Sequence, residues 1–471
     1  RTVLLALAAG VAFDVGARQG WPTVGGALTF VVAAAAILAS GRMRTTASRV
    51  CLGAAALFGS MLALRSSEWL LVTNVLAALG ALALAGVLAR SYSIGDLPAR
   101  VFASRAMTSV AHGIASAAFL AAPVRRVFAG RRASVHGSAG LRGIALAAPI
   151  VLVLGALLAS ADAVFASLFD VRVPMPDDVI GHALLVVIGA CGVGGVIRTA
   201  SARSLSADDV PAPTTRLGVT EWTIVLGSVV ALFAVFAASQ AVTHAGGARH
   251  VLETEGLTYA EHARRGYFQL LAAAAFAGMV LAALRTYGSM PDARATRRFT
   301  VLAQAMLVLT GVVLVVSVRR LGLYEDAYGW TMLRLYVKAS AVWMGAVLLL
   351  TAVRFAGVLR QRDWLPSAAL AAGALVVLAL NVLNPADVVA RHNLRMTRAL
   401  DVAYLVELSD DAVPAVVDTL PSLPPDVRAE LVARVCATTT SEDNGVLGWN
   451  ASVARAEQAR AALCVSPSTA P

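Results

Sequence analysis

Long apolar segments recur along most of this chain, and short polar, arginine-bearing segments separate them. Many of these segments reach the ~20 residues that a helix needs to cross ~30 Å of hydrocarbon. They lack the alternation of polar and apolar residues that would predict barrel strands. The pattern predicts an all-α fold, a polytopic transmembrane helix bundle of about 11 spans. The predicted spans are 3–17, 21–40, 50–64, 69–89, 143–161, 179–197, 220–242, 267–284, 299–318, 335–353 and 366–384.

Composition agrees with a membrane protein. Hydrophobic residues make up 58% of the chain and charged residues 14%, whereas soluble domains carry about 25% charged residues. A net charge of +11 also occurs in nucleic-acid-binding proteins. Here the basic residues follow the loops, so we expect a lipid bilayer as partner and no nucleic acid. The usage is rich in Ala and Arg, with Lys338 as the only lysine, and favours a bacterial origin.

The loop arginines predict the orientation in the membrane. One set of loops comprises 41–49, 90–142, 198–219, 285–298 and 354–365. It holds 21 Arg and Lys against 6 Asp and Glu, counting Glu221 at the edge of its span. The other set, with the span ends that face it, holds 10 against 11. We therefore expect a bacterial inner-membrane protein with a cytoplasmic N-terminus and an extracytoplasmic C-terminus.

The spans and loops divide the chain into four parts. Residues 1–89 form an N-terminal four-span region, and 90–142 form a cytoplasmic insert with an amphipathic helix on the inner leaflet. Residues 143–384 form a seven-span core. The polar linker 198–219 predicts that the spans fall into two groups, of five and six.

The tail, 385–471, is polar and predicts a small extracytoplasmic helical domain of three to four helices. It holds the cysteines Cys436 and Cys464, which are 28 positions apart. In an oxidising compartment they would form a disulfide that stabilises a small domain. Two free thiols are the alternative.

Polar residues within the spans concentrate toward the predicted outer ends, and they include Asp14, Asp162, His182 and Lys338. Because polar residues are costly in hydrocarbon, they indicate function by default. The skew favours a polar cavity open to the outside. The alternative is that helix ends are simply hydrated.

Two predicted outer loops carry denser signals. In the first, Glu261 and Arg265 have the spacing of an ion pair on one helix, while Arg264 projects elsewhere. In the second, four residues recur at every fourth position and predict one helical stripe of acid, aromatic, base and base: Asp326, Trp330, Arg334 and Lys338. Such cations can bind a phosphate or carboxylate. Alternatively, they anchor helix ends at the membrane surface.

No metal or cofactor is expected. The histidines and acids of 243–266 match no metal signature. The chain has no Walker loop and no dinucleotide fingerprint, and its Ser, His and Asp residues are too scattered to nominate a triad.

Four blocks together resemble one bacterial multi-pass membrane family, catalogued as domain of unknown function 4173 and related to the 4153 family. The blocks are 157–169, 258–270, 323–343 and 384–416. The resemblance implies a membrane protein and no assigned activity, so no catalytic residue carries over. His262 and His392 stand where that family usually has Tyr, so aromatic character is kept at both positions and neither histidine is nominated as a ligand.

Three functions stay open. The first is a non-enzymatic transporter or ligand-sensing protein with an outward-facing site for an anionic or lipid-linked ligand. The second is an enzyme acting on a lipid-linked, phosphosugar-type substrate at the outer leaflet, with Asp14 or Asp162 as base and Arg264 and Arg265 on the phosphate. The third is a scaffold that presents the tail outside the cell.

Overall fold

The computed structural model describes residues 2–90, 112, 179–201, 217–242, 267–357, 364–396, 400–437 and 445–464. Within these ranges the chain is helical and forms no strand. In these ranges, Leu217 and Gly288 form an isolated β-bridge. The described part of the protein therefore has the all-α fold that the apolar segments predict.

Ten helices form the apolar part of the described structure. In chain order they are α1 (Thr2–Gln19), α2 (Val24–Ala39), α3 (Thr46–Ser60), α4 (Glu68–Val87), α5 (Val179–Ser201), α6 (Val219–Val242), α7 (Tyr267–Tyr287), α8 (Ala293–Tyr328), α9 (Met332–Phe355) and α10 (Leu365–Leu383). Six shorter helices follow: α11 (Pro385–Arg395), α12 (Val402–Glu407), α13 (Val413–Thr419), α14 (Pro425–Ala437), α15 (Gly445–Gly448) and α16 (Ala451–Cys464).

Membrane insertion is indicated by length and composition. In the described ranges, eight helices are long and apolar enough to cross a membrane, and α2 and part of α5 are shorter apolar helices. Helices overlap every predicted span except the fifth, 143–161, which lies outside the described residues. The insert at 90–142 also lies outside them, apart from Arg90 and His112. The count of eleven spans stays a prediction.

The apolar helices pack around two separate cores. The first core is formed by the five helices α1 through α5 together with one face of α10. The second core is formed by the four helices α6 through α9. In the second core, the fully buried rings of Trp222 and Phe299 meet edge to face, with centroids 5.3 Å apart. Helix α10 contacts both α4 and α9 and so connects the two groups.

Helix α8 is longer than a membrane crossing requires. Its 36 residues extend over about 54 Å at 1.5 Å per residue, against ~30 Å of hydrocarbon. Its apolar stretch, 299–318, lies between the pairs Arg297–Arg298 and Arg319–Arg320. Because arginines favour the membrane boundary, we expect the last turns of α8 to project beyond the hydrocarbon.

A third core lies at the end of the bundle where α8 projects. It is built from α11 to α14 and α16 together with Met332, and Trp330, Leu335 and Tyr336 pack against it. The phenol of Tyr404 accepts a hydrogen bond from Met332 N at 2.9 Å. Burial raises the pKa of Tyr404, so this phenol stays protonated at neutral pH. The C-terminal helices thus share a core with the turn between α8 and α9.

Two side chains fix the C-terminal helices onto the loops of the first helix group. Asp411 Oδ2 accepts hydrogen bonds from Ser66 N and Ser67 N, both at 2.8 Å. Asn450 Nδ2 donates to Pro22 O at 2.7 Å and to Leu62 O at 3.0 Å. We call the end of the bundle that carries these contacts the docked end.

A disulfide joins the last two long helices of the C-terminal region. Cys436 ends α14 and Cys464 ends α16, and their Cα atoms are 5.7 Å apart. Cys51 and Cys191 are free thiols within apolar helices, where cysteine acts as a small packing residue.

Candidate functional site

The clearest group of charged and aromatic residues lies at the docked end, where α8 ends, α9 begins and α11 passes beside them. We call it the Glu325 cluster; its members are Tyr324, Glu325, Trp330, Arg334, Lys338 and His392. Three of these, Trp330, Arg334 and Lys338, are among the residues that the sequence nominates.

A sharp turn builds this cluster. Gly329 ends α8 with φ at +75°, a left-handed conformation that other residues rarely adopt. A Cβ at this position would lie 2.9 Å from Asn393 Oδ1, so the site also lacks space for one. Thr331 then caps α9 by accepting a hydrogen bond from Arg334 N at 3.4 Å.

The prediction of one continuous stripe was wrong. Asp326 lies in α8 and is exposed, Trp330 lies in the turn, and Arg334 and Lys338 belong to α9. Because the chain reverses at Gly329, residues four apart across the turn do not share one helix face. The reversal instead brings the neighbouring acid of α8 against Lys338.

That acid is Glu325, which the sequence interpretation missed. Glu325 is 1% exposed, and its Oε2 forms an ion pair with Lys338 Nζ. Its other oxygen, Oε1, is buried and has no hydrogen-bond partner among the residues that the structure describes. A buried carboxylate with an unused acceptor is costly. The signal that could have found it is Gly329: a reversal there packs the last turn of α8 against the first turns of α9, which brings Glu325 near Lys338.

Aromatic rings hold the two cations of the cluster. Lys338 Nζ lies 4.7 Å from the centroid of the Trp330 ring, and Arg334 Cζ lies 4.3 Å from that of Tyr324. Both distances are within the range of cation–π attraction. Arg334 also donates to Gly329 O. The cations are thus positioned beside Glu325 rather than free in solvent.

Helix α11 fixes the turn from the other side. Trp330 N donates to Asn393 Oδ1 at 2.7 Å, and Asn393 Nδ2 donates to Trp330 O at 2.9 Å. His392 stacks on the Trp330 ring with centroids 4.3 Å apart. His392 Nε2 is a second buried polar atom of the cluster that has no partner within the described ranges.

The cluster can recognise a polar molecule. It contains one carboxylate, two basic side chains, and two buried polar atoms with unused hydrogen-bonding capacity. Glu325 Oε1 accepts a donor, and Arg334 and Lys338 attract negative charge. This combination suits a ligand that carries a hydrogen-bond donor next to an anionic group.

A second polar contact joins α1 and α5, also toward the docked end. Asp14 Oδ2 lies 2.6 Å from His182 Nδ1, and Arg18 Nε donates to Asp14 Oδ1 at 3.0 Å. The side chain of His182 is 51% exposed. The structure thus brings together two of the nominated residues that are 168 positions apart.

Glycines allow α1 and α5 to approach closely at this contact. A Cβ on Gly10 would lie 2.2 Å from Val186 O, and one on Gly189 would lie 2.5 Å from Phe13 Cβ. Small residues commonly mediate such close packing between membrane helices. The close approach is what allows the Asp14 carboxylate to reach the His182 ring.

The remaining nominated residues, Asp162, Glu261, Arg264 and Arg265, lie outside the described residues. Their ligand-binding roles stay predictions, as does the outward-open cavity. In the part of the chain that the structure describes, no group of three or more His, Cys, Asp or Glu side chains is arranged to hold a metal ion.

Comparisons with known proteins give a family and no activity. No curated protein matches this chain. No solved structure matches it. One family model, described as "Domain of unknown function (DUF4153)", matches residues 52–419. The match includes the Glu325 cluster and Asp411, and it excludes Asp14 and the disulfide.

The match supports the expected family of unknown function, but it does not show the predicted family 4173 itself. The matching model is that of the related 4153 family, and it spans more than three quarters of the chain. The chain therefore belongs to the family described as domain of unknown function DUF4153.

Proposed function

We propose that this protein is a multi-pass membrane protein of the bacterial cell membrane that binds a polar ligand at its docked end and acts as a transporter or ligand sensor. The single observation that carries this proposal is Glu325, a carboxylate that is 1% exposed and has one unpartnered oxygen among the described residues. Buried ionisable residues in membrane proteins usually serve transport or ligand binding.

The geometry also favours a site that water can reach. The cluster lies beyond Arg319 and Arg320, where α8 leaves the hydrocarbon, and the side chain of Lys338 is 29% exposed. A ligand arriving from the aqueous phase would meet Lys338 first and Glu325 behind it. The proposed ligand carries a hydrogen-bond donor for Glu325 Oε1 and an anionic group for Arg334 and Lys338.

The docked end faces outside in this proposal. Arginines support this orientation because they concentrate in the loops of the opposite end. There, Arg42 and Arg90 both donate to Ser201, at 2.6 and 3.0 Å. The N-terminus is then cytoplasmic and the C-terminal helices are extracytoplasmic, where the disulfide is stable.

Ligand-induced stabilisation tests the proposal. The full chain in lipid nanodiscs would be unfolded thermally in the presence of amino acids, hydroxy acids and sugar phosphates, with simple amines and simple carboxylates for comparison. A compound that combines donor and anion should stabilise the wild type by about 2.7 kcal/mol at 100 times its Kd. The double variant Glu325→Leu with Lys338→Met should lose this effect.

A matched control tests whether removing any exposed ion pair would change the ligand effect in the same way. Glu430 and Arg434 form an exposed i,i+4 pair at 2.9 Å on α14. Replacing them by Leu and Met should leave the ligand effect unchanged. Equal stabilisation of the wild type and both double variants would contradict a ligand site at Glu325.

Cysteine labelling tests the orientation separately. In a background without Cys51 and Cys191, Val446→Cys places a thiol on a residue that is 81% exposed at the docked end, and Arg42→Cys places one at the opposite end. A membrane-impermeant maleimide added to intact cells should label position 446 and spare position 42. The reverse pattern would invert the proposed topology.

A second candidate function is an enzyme that acts on a lipid-linked phosphosugar-type substrate. The contact between Asp14 and His182 favours it, because a carboxylate that holds Nδ1 of a histidine leaves Nε2 available as a general base. The half-exposed His182 ring can meet a substrate from the lipid or the water.

Turnover of synthetic polyprenyl-phosphate sugars distinguishes the two candidates. With water as the acceptor, the enzyme proposal expects the wild type in liposomes to release polyprenyl phosphate and the free sugar. It expects a loss of at least about 100-fold in the variant His182→Gln. It also expects the Glu325→Leu, Lys338→Met variant to keep its turnover. Absence of turnover with the wild type would leave the transporter or sensor as the proposed function.

A further inference from the structure

A cavity of about 200 Å³ lies inside the C-terminal helices, away from the Glu325 cluster. Helices α12, α13, α14 and α16 surround it. Aliphatic side chains make up most of its wall, and they include Leu405, Val413, Val416, Leu431 and Val435. All five are buried, with exposures of 8% or less. The cavity is thus lined by buried aliphatic side chains together with polar groups, and it is partly open to its surroundings.

Three polar residues close one part of the wall. Arg460 donates from NH2 to Asp410 Oδ1 at 2.6 Å, and Ser409 precedes Asp410. Arg460 Nε and Ser409 Oγ are both buried, and neither has a hydrogen-bond partner in the ranges that the structure describes. Ser409 precedes a 3₁₀ turn but does not cap it through its side chain, so its hydroxyl serves no visible structural role.

The charge of this polar group selects the kind of molecule that fits. Asp410 neutralises Arg460, so the wall carries no net charge. A carboxylate entering the cavity would lose its hydration and meet the negative charge of Asp410, which is unfavourable. An uncharged carbonyl oxygen can instead accept hydrogen bonds from Arg460 Nε–H and the Ser409 hydroxyl.

We propose that this cavity is a binding site for a small, uncharged, mainly aliphatic molecule that carries one carbonyl group. The apolar wall holds the aliphatic body, and the Ser409 and Arg460 donors hold the carbonyl oxygen. This site is separate from the Glu325 cluster and does not depend on the function proposed for it.

The volume agrees with this class of ligand. An engineered apolar cavity of 150 Å³ binds benzene, so about 200 Å³ accommodates a molecule somewhat larger than benzene. Cyclohexanone has this size and one carbonyl. The disulfide between Cys436 and Cys464 keeps two walls of the cavity, α14 and α16, together.

Three matched probes test the proposal on the wild-type full chain in nanodiscs. Cyclohexanone carries the carbonyl, methylenecyclohexane has the same shape without an acceptor, and cyclohexanecarboxylate carries a charge. Binding would be followed by the methyl NMR signals of Val416 and Leu431 at equal aqueous activity of each probe. We expect cyclohexanone to bind about tenfold more tightly than either of the others, as two net hydrogen bonds provide.

Two variants locate the interaction. The double variant Ser409→Ala with Arg460→Lys removes the Ser409 hydroxyl and the Arg460 Nε–H, and it keeps a positive charge opposite Asp410. It should reduce cyclohexanone binding about tenfold and leave methylenecyclohexane unchanged. Val416→Phe fills the cavity and should abolish the binding of both.

The wild-type measurement alone can overturn the proposal, whatever the variants do. Equal affinity for cyclohexanone and methylenecyclohexane would show that the polar wall does not recognise a carbonyl. Preference for cyclohexanecarboxylate would show an anion site instead. Unchanged signals of Val416 and Leu431 with every probe would show a void that binds no such molecule.

Discussion

Asp411 and Glu325 are buried to almost the same degree, at 2% and 1% exposure, but their surroundings differ. Asp411 lies between the C-terminal helices and the loop before α4. Its Oδ2 accepts from two backbone N–H groups, and its Oδ1 accepts from the Ser452 hydroxyl. Glu325 has an ion pair on one oxygen and an unused acceptor on the other within the described structure.

The difference separates a structural carboxylate, Asp411, from Glu325, for which we propose a binding role. Every oxygen of Asp411 is satisfied, and two of its donors belong to the backbone and cannot be removed by mutation. The partner of Glu325 is a side chain, and its second oxygen has capacity for a further donor. Burial alone therefore does not identify the site; unfilled hydrogen-bonding capacity does.

The largest expected effect is that of Asp411→Ala. This change leaves Ser66 N and Ser67 N without their acceptor and leaves Arg65, whose NH1 is 3.6 Å from Asp411 Oδ1, without a counter-charge. It should lower the free energy of unfolding by about 3–5 kcal/mol, measured by thermal unfolding in nanodiscs.

Asp418→Ala is the matched control for that change. Asp418 is 63% exposed and pairs with Arg391 at 3.2 Å, and exposed pairs contribute about 0–1 kcal/mol. Similar losses for Asp411→Ala and Asp418→Ala would refute the structural role of Asp411.

The next effect is that of the disulfide, a second constraint on the C-terminal helices. Replacing Cys436 and Cys464 by Ser opens a loop of 28 residues and should lower the free energy of unfolding by about 2–4 kcal/mol. Protease digestion should then cleave between α14 and α16 first. A variant as resistant as the oxidised wild type would show that packing alone holds these helices together.

A smaller effect is expected for Asn74→Ala. Asn74 and Asn381 exchange two side-chain hydrogen bonds of 2.8 Å between α4 and α10. Truncating Asn74 leaves the buried Asn381 amide partly unsatisfied and should cost about 1–3 kcal/mol in the thermal unfolding measurement. Asn74→Asp at high pH adds a charge and should cost more; the opposite order would contradict the neutral amide pair.

The smallest effect on stability is expected for Glu325→Leu combined with Lys338→Met. Replacing both partners of a buried ion pair by apolar residues is often neutral or stabilising. The free energy of unfolding should stay within about 1 kcal/mol of the wild type or rise, while ligand binding is lost. A loss as large as that of Asp411→Ala would place Glu325 among the structural residues.

The helices could be predicted from the sequence because their signal is local. Each long apolar segment shows by itself that its helix must be buried in lipid or protein. The prediction of a single stripe was wrong because of one residue, Gly329. Treating Gly329 as helical placed Asp326 in line with Lys338, whereas the chain reversal at Gly329 places Glu325 against Lys338. The contact of Asp14 with His182 could be anticipated only as two polar residues at similar depth.

The docking contacts could not be predicted for a physical reason. Ser66 and Asp411 are 345 positions apart, and neither segment carries a pattern that requires the other. The packing of Met332 against the C-terminal helices could not be predicted for the same reason. The predicted domain boundary at residue 385 marks where the chain becomes polar. The third core crosses this boundary, because it also includes the turn before α9.

The most direct test of the proposed ligand site at Glu325 is a density map of the wild-type protein in nanodiscs prepared from native membranes. We expect density for a small molecule within about 2.6–3.2 Å of Glu325 Oε1, and we expect no such density in the Glu325→Leu, Lys338→Met variant. Protein atoms packed directly against Oε1, or the same density in both maps, would contradict it.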